Sequence, residues 1–181
     1  MAQCFELVGP GVELIKGRNA IKKTKSCMGF GLAAPVLRKG KASVTFEIDF
    51  AAEEYGFSLG LFPANLKLGS SIGSDDGKRA ALLVASGRGG SAQILCDGEQ
   101  SERLDNLGWK PGDTVQVEVA FEGDTAVVTF HLKDLSEQRT IRGVPACGLC
   151  FGAGMVEAKT AVALVQSSAF EQVLLAREAP H

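Results

Sequence analysis

Two cysteines with two residues between them are the first candidates for chemistry in this chain of 181 residues. Cys147 and Cys150 have the spacing found in redox-active thiol pairs and in zinc sites. A redox pair needs a helix start that lowers a thiol pKa, whereas this pair lies in an apolar run interrupted by glycine. No second Cys-x-x-Cys and no histidine pair completes a zinc site. The pattern therefore favours buried, structural cysteines.

Two glycine-rich stretches have the composition of phosphate-binding loops. The stretch 29–34 (GFGLAA) matches a loose G-x-G-x-x-A, but residues 35–41 predict no helix, and that fingerprint requires one. The stretch 86–91 (SGRGGS) could form an anion-binding nest, yet it lacks the Gly-Lys-Ser/Thr of a nucleotide loop. We interpret the first as a strand against which other residues pack and the second as a hairpin loop.

Acidic residues and histidine offer few other catalytic arrangements. His131 lies on the polar face of a predicted strand, with Asp134 and Glu137 near it in sequence. A hydrolase using His131 is one hypothesis, but no nucleophile elbow is visible. Asp75 and Asp76 lie in a Gly/Ser loop without the spaced oxygen ligands of a calcium site. We expect no enzyme activity, no metal and no cofactor.

Charge and composition limit the partners. The net charge of −2 argues against a nucleic-acid binder and against attraction to an anionic membrane. The basic segment 16–25 holds five cations but no aromatic residue on which bases could stack. There is no run of about 18 apolar residues and no secretory signal at the amino terminus. With an odd count of five cysteines, these features predict a reduced, cytoplasmic setting. They do not predict an oligomeric state.

The elements that must position any site are predicted to be short strands. Apolar and polar residues alternate in 43–50, and again in 114–121 and 126–132 across the turn Glu122-Gly-Asp124. That arrangement predicts an antiparallel hairpin. About a dozen such runs predict a β-sandwich or barrel. A short C-terminal helix capped by Ser168 is the only helix predicted.

Trp109 precedes Lys110-Pro-Gly-Asp113, a turn signature that leads into the first strand of the hairpin. We expect it to pack against the sheet edge rather than to face a ligand, and its burial to stabilise the fold by about 2–3 kcal/mol.

The order of these elements resembles that of a SPRY (B30.2-like) domain. The strand Lys41–Phe50 is followed by Gly56–Phe62, then by Trp109–Asp113 with its hairpin, and finally by Ile141–Pro145 and Ala146–Gly154. The resemblance covers about 35–165, with 1–34 expected to form N-terminal strands packed on that core. It departs from the family at Ser43-Val44, where the family has an aromatic residue. Another concanavalin-like sandwich is the alternative.

The resemblance implies one all-β domain, 1–181, built as a two-sheet antiparallel β-sandwich. It also implies a recognition module without catalytic residues, whose partner is a protein or peptide bound by loops at one rim. By position these loops are 37–40, 63–76 and 152–155. The predicted contact residues are Arg38, Asn65, Leu66, Gly154 and Met155. A lectin-like sandwich that binds a glycan or small ligand in a groove is the alternative function, although tryptophan and tyrosine are scarce.

Overall fold

The computed structural model describes residues 3–15, 19–25, 29–49, 56–67, 81–86, 91–97, 99–132, 136–156 and 159–170. These residues form two seven-stranded antiparallel sheets and contain no helix. The strands are β1 (Cys4–Val8), β2 (Val12–Ile15), β3 (Ala20–Lys23), β4 (Gly29–Ala34), β5 (Lys41–Asp49), β6 (Gly56–Pro63), β7 (Ala81–Ser86), β8 (Ser91–Cys96), β9 (Glu99–Leu104), β10 (Thr114–Glu122), β11 (Thr125–Leu132), β12 (Glu137–Pro145), β13 (Leu149–Met155) and β14 (Ala161–Phe170).

The sheets are named here A and B. Sheet A has the order β1-β4-β13-β6-β7-β8-β9, and sheet B has the order β12-β11-β10-β5-β14-β3-β2. The first four strands are divided between them, with β1 and β4 in sheet A and β2 and β3 in sheet B, so these strands extend both layers of the core. The predicted two-sheet antiparallel sandwich is confirmed, and so is the β10–β11 hairpin, which pairs Val115 with Leu132 through to Glu122 with Thr125.

The predicted C-terminal helix is wrong over its first turn. Ser168 lies in β14, directly opposite Ser43 of β5, and the ladder continues to the pair Phe170–Lys41. A helix beginning at Ser168 would leave the backbone of the Lys41 end of β5 without a partner on one side, and an unpaired buried ladder is costly. The rest of that prediction, 171–181, lies outside the described residues.

The main core lies between the two sheets. The alternating residues that the sequence assigned to one face of each strand point into it: Val44, Phe46, Ile48, Val115, Val117, Val119, Ala126, Val128, Phe130 and Leu132. Each is at most 5% exposed. At about 25 cal/mol per Å² of buried apolar surface, this shared core is the dominant stabilising term.

A second apolar cluster covers the outer face of sheet A. It contains Phe30, Leu32, Phe62, Leu66, Leu82 and Cys150, all buried. The rings of Phe30 and Phe62 meet edge to face with centroids 5.6 Å apart. Gly152 and Gly154 of β13 lie beneath these rings, and a Cβ on Gly152 would lie 2.8 Å from Phe62 Cδ2. The glycines of β13 are therefore required by packing.

Polar contacts join the edges of the two sheets. Arg139 of β12 donates from Nε to Glu102 Oε1 of β9 at 2.7 Å, and so connects sheet B to sheet A along one side.

Lys23 of β3 is fully buried, and its Nζ donates to the carbonyl oxygens of Pro10 and Gly11 at 3.1 Å. The ammonium is thus held at the bend between β1 and β2.

Candidate partner-binding rim

Three loops meet at one end of the sandwich, and we call this end the rim. They are 35–40 between β4 and β5, 64–67 after β6, and 146–148 between β12 and β13. Leu37 and Leu149 exchange two backbone hydrogen bonds of 2.7 and 2.9 Å, and Ala64 donates from its N–H to the Gly148 carbonyl at 2.9 Å. The three loops are therefore fixed to one another through backbone groups.

The rim presents both apolar and polar side chains to solvent. Val36 is 41% exposed, which is unusual for a large apolar residue in this chain. Arg38, Asn65 and Cys147, on the same three loops, are also exposed. Gly148 has φ +87°, and a Cβ added there would lie 3.4 Å from Arg38 Nη1, so the guanidinium lies directly against this turn. An apolar side chain flanked by a cation and an amide can bind an extended segment of another protein.

Two of the five predicted contact residues lie on the rim loops and are exposed, and three are buried. Arg38 and Asn65 are both exposed on adjoining rim loops. Leu66 is 7% exposed and packs in the second apolar cluster. Its N–H donates to the Pro63 carbonyl at 3.0 Å, and this turn directs the side chain inward.

The expectation that Gly154 and Met155 lie in a rim loop is corrected. Both belong to β13, which starts at the rim with Leu149 opposite Pro63 and ends with Met155 opposite Phe57. Met155 is therefore at the other end of the sandwich and is 0% exposed. A Cβ on Gly154 would lie 2.8 Å from Phe30 Cε1. Neither residue has surface to offer a partner.

Val36 and Cys147 are two exposed rim residues that sequence reasoning did not select. Val36 was overlooked because a lone valine after proline carries no periodic signal, and Cys147 because the Cys-x-x-Cys pattern was interpreted as buried as a whole. The structure divides that pair: Cys147 precedes β13 and is exposed, whereas Cys150 is 4% exposed in the second cluster. The buried structural interpretation holds for Cys150 alone. The cysteines in the described residues, Cys4, Cys96, Cys147 and Cys150, are unpaired.

The two thiols should differ strongly in reactivity. Burial raises the pKa of the Cys150 thiol, and the positive charge of Arg38 offsets part of that rise. Because the thiolate is the nucleophile, we expect iodoacetamide at pH 8 to label Cys147 at least about tenfold faster than Cys150. Peptide mapping by mass spectrometry over time measures both rates. Equal rates in the folded protein would contradict the burial of Cys150, and labelling in urea serves as the control.

The described parts of the glycine-rich stretch 29–34 and of the basic segment 16–25 belong mainly to the two sheets. Residues 29–34 form β4, which pairs with β1 and β13, so no helix follows them to bind a dinucleotide. Of the basic segment 16–25, Lys23 is buried rather than solvated. Asp75 and Asp76 lie outside the described residues, as do residues 87–90 of the stretch interpreted as a hairpin loop.

The carboxylate near His131 is Glu118, which is not one of the two acidic residues close to it in sequence. The Nε2 atom of His131 lies 3.4 Å from Glu118 Oε2 of β10, and Gln116 Nε2 donates to Glu118 Oε1 at 3.1 Å. Glu137 instead lies 3.7 Å from Arg139 Nη2, and Asp134 is outside the described residues. Within the described part of the chain no hydroxyl or thiol hydrogen-bonds to His131. No nucleophile–base pair is formed there.

Two grooves lie on the outer face of sheet B. One groove of about 290 Å³ runs across β5, β10 and β11 and is lined by Lys41, Ala42, Ser43, Glu118, Val119, Ala120, Val127 and Thr129. Another groove, also of about 290 Å³, crosses β2, β3, β14 and β5. Neither has an aromatic ring among its described lining residues, which weighs against the glycan alternative.

Other kinds of site are not found in the described ranges. They contain no group of three or more His, Cys, Asp or Glu side chains that could hold a metal ion. The described ranges also contain no helix that is long and apolar enough to cross a bilayer.

Comparison with solved structures identifies the fold. No family model matches the sequence, and neither does any curated protein sequence. The SPRY domain of human HERC1 is 17% identical, with a TM-score of 0.65 over 90% of this chain and 98% of that one. The chain has the SPRY fold. The TRIM65 PSpry domain shows the same SPRY fold at 11% identity and a TM-score of 0.66, over 92% of this chain and 90% of that one.

Proposed function

We propose that this chain is a non-catalytic recognition module of the SPRY type that binds a protein or peptide segment at the rim. The observation that carries the proposal is the joining of the exposed residues Val36, Arg38 and Asn65 by backbone hydrogen bonds between their loops. A backbone held in this way loses little conformational entropy on binding, so more of the contact energy is retained as affinity.

The proposal includes the absence of catalysis and a reduced, cytoplasmic setting. Support for the first is that His131 has a carboxylate neighbour but no nucleophile in the described residues. Support for the second is that the described cysteines are all free, two of them exposed. A cytoplasmic protein keeps such thiols reduced.

A peptide selection tests the rim. The folded chain is used to select binders from a phage-displayed library of random peptides, and a selected peptide is then measured against Arg38→Ala combined with Asn65→Ala. We expect about a tenfold or greater loss of affinity, since hot-spot side chains each contribute more than about 1 kcal/mol.

The matched control is Arg103→Ala combined with Gln93→Ala, an exposed pair on the outer face of β8 and β9 that faces away from the rim. It removes the same charge and a similar amide, so it should bind as the native chain does. Selected peptides that bind both double variants equally, or a library that yields no binder to the folded chain, would refute the rim proposal.

A further inference from the structure

The groove across β2, β3, β14 and β5 has a floor of small side chains. Register places Ala161 opposite Asp49, and places Ala163 between Glu47 of β5 and Ala20 of β3. Directly opposite residues project from the same face of a sheet, so both alanines lie beside longer acidic side chains of β5, and Ala20 continues the floor on β3. Ile15 and Val165 complete the lining, which encloses about 290 Å³. The groove is thus an apolar channel about one side chain deep.

A β-bulge lies beside the apolar side chain that borders this channel on β14. Leu164 pairs with Phe46 and Gln166 with Thr45, so Val165 is an extra residue without a partner on β5. Bulges occur preferentially near functional sites. Val165 follows Ala161 and Ala163 on the outer face and is 50% exposed, while its neighbour Leu164 is 7% exposed in the core. The strand β14 therefore presents exposed apolar surface at the bulge.

The wall of the groove formed by β5 is acidic. Glu47 and Asp49 are exposed and take part in none of the ion pairs among the described residues. Two residues apart on one strand, their Cα atoms are about 6.8 Å apart. Across the floor, Lys22 of β3 lies opposite Ala161 on the same face, with Glu13 of β2 opposite it on its other side. On this face the carboxylates of Glu13, Glu47 and Asp49 outnumber the one lysine, so the net charge of these residues is negative.

We propose that this groove docks a short extended segment of a partner protein that combines apolar side chains with lysine or arginine. The apolar side chains lie on the alanine floor against Ile15 and Val165, and the basic side chains reach Glu47 and Asp49. The charge and the apolar floor select such a segment over an acidic or purely polar one. The groove lies toward the end of the sandwich opposite the rim, so the interaction is separate from the proposed function.

The test uses a fluorescein-labelled peptide with the central sequence Lys-Val-Lys-Val-Lys, and the corresponding Glu-Val-Glu-Val-Glu peptide as its counterpart. Binding is followed by fluorescence anisotropy, and the site by NMR shifts of backbone amides. We expect saturable binding of the basic peptide only, with shifts concentrated in 47–49 and 161–165. Glu47→Gln combined with Asp49→Asn should weaken binding of the basic peptide about three- to tenfold, because exposed ion pairs each contribute little to affinity.

Two further variants separate the groove from general surface charge. Asp97→Asn combined with Glu99→Gln makes the same charge change at the β8–β9 turn of sheet A and should leave binding unchanged. Ala163→Leu fills the floor at a partly exposed position and should remove binding without lowering the melting temperature. Equal weakening by both charge variants would overturn the proposal, as would binding that survives Ala163→Leu. A concentration-dependent dimer lost in Ala163→Leu would assign the groove to a second copy and also overturn it.

Discussion

Replacing Gly60 with alanine is expected to lower the free energy of unfolding by about 3 kcal/mol. Gly60 lies in the middle of β6, paired with Gly152 on one side and Leu82 on the other. Its φ is +148°, a conformation that residues with a Cβ rarely adopt, and an added Cβ would collide with the backbone carbonyl oxygen of Ala81. That oxygen belongs to a neighbouring strand, so it cannot move aside as a flexible side chain would. The melting temperature should fall by about 10 °C.

Gly112→Ala is the matched control for this prediction. Gly112 also has a positive φ, +89°, but nothing lies within 4 Å of the position of its Cβ. The substitution therefore carries only the conformational cost, about 1 kcal/mol. Urea unfolding of both variants measures the difference. If the two lose equal stability, the contact with Ala81 is not the cause, and if Gly60→Ala is neutral, the packing of β6 against β7 is not as described.

The sheets were predictable because burial on one face imposes a two-residue period. The segments 115–121 and 126–132 carry that period, with Ala120 and Val127 as its apolar exceptions on the outer face, and both are strands whose alternate apolar residues face the core. Which strands are neighbours was not predictable in this way. The position of β14 between β5 and β3 depends on contacts far apart in sequence, and local alternation does not specify them.

The errors in the candidate site have a common physical origin. The loop at 152–155 was predicted by position from the SPRY resemblance, yet Gly152 and Gly154 lie in β13 and make room for Phe62 and Phe30 from adjacent strands. Leu66 was placed at the surface because its loop is polar, and a turn directs it inward. Both outcomes depend on tertiary packing, which local composition does not reveal. Arg38 and Asn65 were located correctly at the surface because charged and amide side chains are rarely buried without partners.

The bulge in β14, beside the groove, was also not predictable from local sequence. The run Ala161 to Gln166 alternates too weakly to indicate that Val165 is an extra residue, and only its pairing with β5 shows it. The false helix at Ser168 arose from the same segment, because a serine before an apolar stripe satisfies the local rules of a helix start. Pairing with β5 along its whole length overrides that local preference.

Trp109→Ala should cost about 3–4 kcal/mol of stability, since truncating a buried aromatic side chain removes its transfer energy and leaves a cavity. Trp109 is 6% exposed, and its ring meets Phe57 edge to face with centroids 5.4 Å apart. The following turn is fixed to β5, because Gly112 donates to the Ile48 carbonyl at 2.8 Å and Ile48 donates to the Asp113 carbonyl at 3.0 Å. The indole thus links this turn of sheet B to Phe57 of sheet A. Thermal and urea unfolding measure the loss.

The position of Trp109 separates this stability effect from binding. Phe57 pairs with Met155, at the end of β13 that lies away from the rim, so a cavity at Trp109 opens far from Arg38 and Asn65. Under conditions in which the variant remains folded, it should bind a rim-selected peptide as the native chain does. Trp109→Phe, which keeps an aromatic ring against Phe57, should recover much of the stability. A variant that keeps its full stability but loses the peptide would instead make Trp109 part of a binding surface, and the assignment of recognition to the rim loops would fail with it.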